Sequence, residues 1–174
     1  AADALLLEAH TDTLGGMVAE IKSNGRLRLT NLGGLCAANC ETENARLYTR
    51  GGAVIEGTLQ LCNASIHVNG DFADTKRSFD TTELVLDEDV KSAEDTRALG
   101  VEVGDFVCFD PRTRITKSGY IKSRFLDDKL SVGILLGLAV FGEAVTPRQV
   151  IGAVIIICGI VLFVRADNEG EGGK

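Results

Sequence analysis

Two short segments of this chain carry residue types that bind metals and activate water. In the first, His10-Thr11-Asp12, an imidazole is followed two residues on by a carboxylate. Neutral imidazole is a good ligand for zinc or cobalt, and a nearby carboxylate holds such a ring in the tautomer and orientation that ligation needs. In the second, Leu126-Asp127-Asp128-Lys129, paired acids stand just ahead of an apolar run. A carboxylate there can bridge two metal ions, an arrangement that polarises a carbonyl and activates water. Each pattern also has an ordinary reading: His10 as a surface residue at a strand end, and the acids as helix capping. Cys36 and Cys40, with three residues between them, hint at a third metal site. No second Cys or His pair stands at zinc-site spacing, so small buried side chains are the simpler reading.

Elements on either side must position these residues. Residues 4–9, apolar except for Glu8, read as a buried strand, which would place His10 and Asp12 at its end, where α/β scaffolds present site residues. The chain opens on this run without Met, as expected of a piece cut from something longer. Residues 17–22 and 26–30 alternate around Asn24-Gly25, the pattern of a hairpin, and Gly33-Gly34 ends it. Further strands are expected over 45–49, 53–61 with Gly57 as a bulge, 83–86, 101–109 and around Gly119 within 115–126. Residues 69–80 are polar and read as a mobile loop. One helix is signalled by Ser92 as cap, Asp95 three residues on, and Gly100 as the stop. Residues 13–126 thus predict a β-rich barrel or sandwich with one helix.

Composition narrows the function classes. The 174 residues are 45% hydrophobic and 25% charged, which excludes wholesale disorder. A net charge of −7 argues against nucleic acid as a partner, and the absence of Trp leaves no stacking platform of note. Five cysteines, an odd number with no regular spacing, read as reduced thiols of a cytoplasmic protein.

Taken in order, several motifs resemble the di-metal glutamyl and deblocking aminopeptidases, those that build tetrahedral dodecamers. The first is Ala9-His10-Thr11-Asp12-Thr13-Leu14-Gly15-Gly16-Met17-Val18. Gly33-Gly34, Gly57 and His67 follow, then Asp87, Ala93-Glu94 and Leu99-Gly100-Val101-Glu102-Val103-Gly104-Asp105. Phe125-Leu126-Asp127-Asp128-Lys129 matches the second metal motif of that family. The resemblance implies an α+β chain: a β-rich barrel or sandwich, the family's inserted dimerisation domain, flanked by fragments of an α/β peptidase domain. The expected division is 1–12 as a fragment of the catalytic domain with the first metal motif, 13–126 as the insert, 127–164 as the second metal motif with an apolar helical or strand hairpin, and 165–174 as a polar tail. The resemblance implies His10 and Asp127 as ligands of a divalent metal, zinc or cobalt, with Asp12 as the supporting carboxylate. His67 reads as a packing residue within the insert. A homo-oligomer formed through the β-domain and a peptide substrate, if the site is completed, are the implied partners.

The departures from the family are large. Its Glu-Glu pair, further acid ligand and C-terminal His find no counterpart after Lys129, where the only acids are Glu143, Asp167, Glu169 and Glu171. Without a positioned carboxylate base, water activation lacks its proton acceptor. The chain alone is therefore expected to be inactive as a peptidase. From Val140 the sequence resembles the terminal hairpin of drug/metabolite transporters, with Gly142-Glu143, Thr146-Pro147, Gln149 and Ile151-Gly152-Ala153. That resemblance implies a chimera joined near Ala139. Residues 150–164 carry no charge but fall short of the roughly 20 residues that span a bilayer. They read as a buried helical or strand hairpin or, in the competing reading, as a membrane anchor.

Overall fold

The computed structural model describes residues 7–141. The chain divides into two compact units, Thr11–Lys129 on the one hand and Ala1–His10 with Leu130–Lys174 on the other. The first unit holds a closed antiparallel barrel. Its strands are β1 (Gly15–Ile21), β2 (Leu27–Leu32), β3 (Asn44–Tyr48), β4 (Val54–Leu61), β5 (Thr82–Leu86) and β6 (Phe106–Phe109), in the spatial order β1-β2-β5-β4-β3-β6. Pairing of Gly16 with Val107 and of Met17 with Phe106 closes the ring. The described residues are α+β, and the barrel is the expected β-rich element.

Local sequence explains most of these strands. In β3 and β6 every second residue is buried, and Leu47, Val107 and Phe109 meet Val18, Leu27, Leu29, Leu59 and Leu84 in one apolar core. The β1–β2 hairpin turns at Asn24-Gly25 as its sequence predicts. Gly25 takes φ +82°, and the Asn24 side chain accepts the Arg26 backbone N–H at 3.1 Å. Ser92 caps α1 (Ala93–Ala98) in a full capping box with Asp95, and Thr96 Oγ1 donates to Gly25 O at 2.7 Å, fastening α1 to the hairpin turn.

Several expectations give way. Gly57 is not a bulge: it pairs in unbroken register with Ala45 on one side and Leu86 on the other. A Cβ there would lie 2.5 Å from Val85 O, so glycine is required by the close approach of β5. The bulge lies in β1 instead, between Val18 and Glu20. The strand expected over 101–109 begins only at Phe106, because Gly104 takes φ +95° and Asp105 closes a turn back to Glu102. The polar segment expected to be mobile is a string of hydrogen-bonded turns. Asn69 Nδ2 donates to Asn63 O at 2.8 Å, and Arg77 pairs with Glu41 at 2.9 Å and lies over the Phe72 ring. His67 stands just before this segment, exposed between Ile66 and Val68, which are 65% and 77% exposed, so it packs into no core.

Beyond the barrel, β7 (Arg114–Ile115) and β8 (Ile121–Lys122) form a two-stranded hairpin turning at Gly119. In the second unit, residues 7–10 form no strand and Leu7 is 53% exposed; the rest of the apolar run expected over 4–9 lies outside the described residues. The helix α2 (Lys129–Phe141) covers the apolar run after Asp128. Residues 150–164, with their hairpin and membrane readings, lie outside the described residues. Among the described residues no helix is long and apolar enough to cross a membrane.

Candidate functional site

The two metal-motif segments are the strands of chain that lead into and out of the barrel unit. Asp12 precedes β1 and Asp127 precedes α2, and both are exposed, as is His10. His10 belongs to one compact unit and Asp12 and Asp127 to the other. The peptide bond between Asp127 and Asp128 is cis.

The residues just inward of the two aspartates line the same cavities. Leu14, two residues after Asp12, and Phe125, two before Asp127, both line a groove of about 670 Å³. Thr13, Phe125 and Lys129 also line a second cavity of about 310 Å³, together with Arg46, Tyr48, Glu56, Asp87 and Asp110. The barrel therefore brings the flanks of the His10-Thr11-Asp12 and Asp127-Asp128 segments to one edge.

The larger groove was not legible as a site from its residues taken singly. Four of its lining side chains are cations, Arg112, Arg114, Lys122 and Arg124. Arg124 is its anchor: Nη2 pairs with Glu43 at 3.0 Å, Nε donates to Asp110 O at 3.3 Å, and Nη1 donates to Asn39 O. These bonds fasten the base of the β7–β8 hairpin to the turn at residues 37–39. Arg112 also pairs with Glu43, at 2.9 Å. The sequence signal was the cluster of four cations, Arg112, Arg114, Lys122 and Arg124, on either side of Gly119.

Cys36 and Cys40 belong to no cluster of metal ligands among the described residues. Cys36 and Cys40 flank the single turn Ala37–Asn39, the one exposed and the other buried, and burial pushes the Cys40 thiol up to about 11. Among the described residues no group of three or more His, Cys, Asp or Glu is placed to hold a metal ion. His10, Asp12 and Asp127 offer the right donor types for a divalent ion, but the described residues do not complete a centre.

Comparison with known proteins now decides the family. The model of the M42 glutamyl aminopeptidases matches residues 1–154. The chain belongs to that family. The match runs past Ala139 to residue 154, so it lends no support to a join at Ala139. The YhfE protein of Bacillus subtilis (strain 168), whose assignment as an aminopeptidase is itself provisional, is 47% identical over 133 residues, 76% of this chain and 38% of its own. Among solved structures, an aminopeptidase from the archaeon Desulfurococcus kamchatkensis matches with a TM-score of 0.61 and 25% identity, over 75% of this chain and 34% of that one. The TET1 peptidase of Pyrococcus horikoshii, described as assembling into a tetrahedron or a large octahedral shell, shares the fold at a TM-score of 0.62 and 24% identity, over 75% of this chain and 38% of its own. The chain thus spans under two-fifths of the length of each of these relatives.

Proposed function

We propose that this chain is the barrel-bearing section of a metal-dependent aminopeptidase, which releases N-terminal residues from peptides. In this reading His10 and Asp127 ligate a divalent ion, zinc or cobalt, and Asp12 orients the imidazole. The observation that carries it is membership of the M42 family over residues 1–154, with both metal motifs in the matched span. When bound, the ion would polarise the scissile carbonyl and activate water. A catalytic zinc usually has about three protein ligands. The two proposed ligands fall short, so the chain alone is inactive until a further segment or a partner chain adds ligands and a carboxylate base.

A second reading, an oligomerisation module formed by the barrel, is favoured by one apolar patch. Tyr48 pairs across the sheet with both Val54 and Phe106, and the three are 40%, 53% and 56% exposed. Contiguous exposed apolar surface of this kind marks an interaction face.

Elemental analysis of the purified chain beside a His10→Ala variant tests the first reading, together with an assay for release of N-terminal residues. Metal held by the chain and lost in the variant, without peptide hydrolysis, is the expected result. Hydrolysis by the pure chain would refute its inactivity. Equal metal in both proteins would refute His10 as a ligand, and a metal-free chain that self-associates in sedimentation would favour the oligomerisation reading.

A further inference from the structure

The groove between the β7–β8 hairpin and residues 33–40 carries more positive charge than the fold uses. Glu43 serves both Arg112 and Arg124. Arg114 and Lys122 line the same groove, are exposed, and have no charged or hydrogen-bonding side-chain partner among the described residues. They are also directly opposite one another in the hairpin register. Like charges placed in that way destabilise a strand pair, and a two-residue pairing has little else to hold it. The feature stands out further in a chain whose net charge is −7. An anion seated between the two side chains would turn their repulsion into a clamp. The rest of the lining is mixed: Asn39 and Ser123 are polar, while Leu14, Leu35, Pro111 and Phe125 offer apolar contacts that a small hydrated ion would not use. At about 670 Å³ the groove has the size of a site for an organic ligand.

From these observations we infer that the groove is a carboxylate-recognition site for short peptides: Arg114 and Lys122 hold the carboxylate, and Leu14, Leu35, Pro111 and Phe125 take the adjoining residues. The proposal uses the aminopeptidase reading only for the peptide nature of the ligand. The carboxylate could come from a peptide C-terminus or from an acidic side chain; we assign it to the C-terminus, and the titration below separates the two.

Calorimetric titration of the full chain in the presence of a chelator tests this without any catalysis. The probes are trialanine, its C-terminal amide, the amide of Ala-Glu-Ala, and inorganic phosphate. Trialanine should bind about tenfold more tightly than its amide, a difference expected of a charge-assisted clamp. The double variant Arg114→Gln/Lys122→Gln should abolish that preference with an unchanged unfolding midpoint, since both positions lie outside the barrel. Equal binding of trialanine and its amide, or a preference surviving in the double variant, overturns the proposal. Tighter binding of the Ala-Glu-Ala amide than of trialanine overturns the C-terminal assignment, and phosphate binding as tightly as trialanine overturns peptide recognition. Because a chelator is present, failure here is separate from failure of the metal and hydrolysis tests on the aminopeptidase reading.

Discussion

Replacing Glu83 with Gln should destabilise the barrel by about 2 kcal/mol. The reason lies in the seam between β2 and β5. These strands share one register pair, Leu27 with Leu84, whereas β4 and β5 share five. Glu83 stands next to that single pair, its side chain only 3% exposed, and accepts hydrogen bonds from Lys22 at 3.0 Å and from Arg26. Both cations flank the β1–β2 turn, so one carboxylate clasps the hairpin to β5. A hydrogen bond to a charged group contributes about 1.5–3 kcal/mol. Lys22 and Arg26 are 24% and 39% exposed, so water and salt screen part of that, and Gln keeps the volume and one acceptor. The assay is urea unfolding, read as a lower midpoint at unchanged slope. The pH dependence gives an independent check. Burial lowers the Lys22 pKa, but the Glu83 hydrogen bond and the Cys62 thiol outweigh it, so the lysine is held above its ordinary 10.5. A folded value above the unfolded one means that the stabilisation is complete below pH 10.5 and is lost as pH rises through the folded value. The Glu83→Gln variant should therefore show a shallower alkaline loss than the parent. A stability change below about 0.5 kcal/mol, within the range of an ordinary surface substitution, would refute the clasp.

Two further substitutions test the backbone reading. Gly57→Ala puts a Cβ 2.5 Å from Val85 O and 3.3 Å from Leu86 Cα, both backbone atoms that cannot swing away. It should cost about 1–3 kcal/mol in thermal unfolding followed by circular dichroism, while Gly34→Ala, which meets nothing within 4 Å, should be near neutral. Ser92→Ala removes the side chain that accepts Asp95 N–H at 3.2 Å and should cost about 1 kcal/mol. The Lys91 backbone N–H and the Ser92 side chain hold the Asp95 carboxyl below its ordinary 3.8. Its contribution is therefore present above that pH and lost as pH falls through the folded value, and Ser92→Ala should weaken this acid-side loss.

The elements read from sequence are those whose signals are local. Asn24-Gly25 between alternating runs, and Ser92 with Asp95 ahead of a short helix, each complete their pattern within a few residues. What failed was decided by a distant neighbour. Gly57 looks like a bulge to any window on β4, and only the approach of Val85 O shows why a side chain cannot stand there. The strand read from 101 starts late because Asp105 spends its backbone and side chain on turns, accepting from Glu102 N at 2.8 Å and Arg50 N at 3.2 Å. The candidate site divides in the same way. His10, Asp12 and Asp127 are visible by residue type, since imidazole and paired carboxylates announce metal chemistry wherever they stand. The basic groove is not, because it exists only where Arg124 ties the hairpin to Asn39, 85 residues earlier. Arg114 and Lys122 are ordinary surface cations on a strand until that tie closes the groove beside them. Their mutual repulsion then becomes the most informative charge arrangement in the barrel unit, because the fold keeps it without using it.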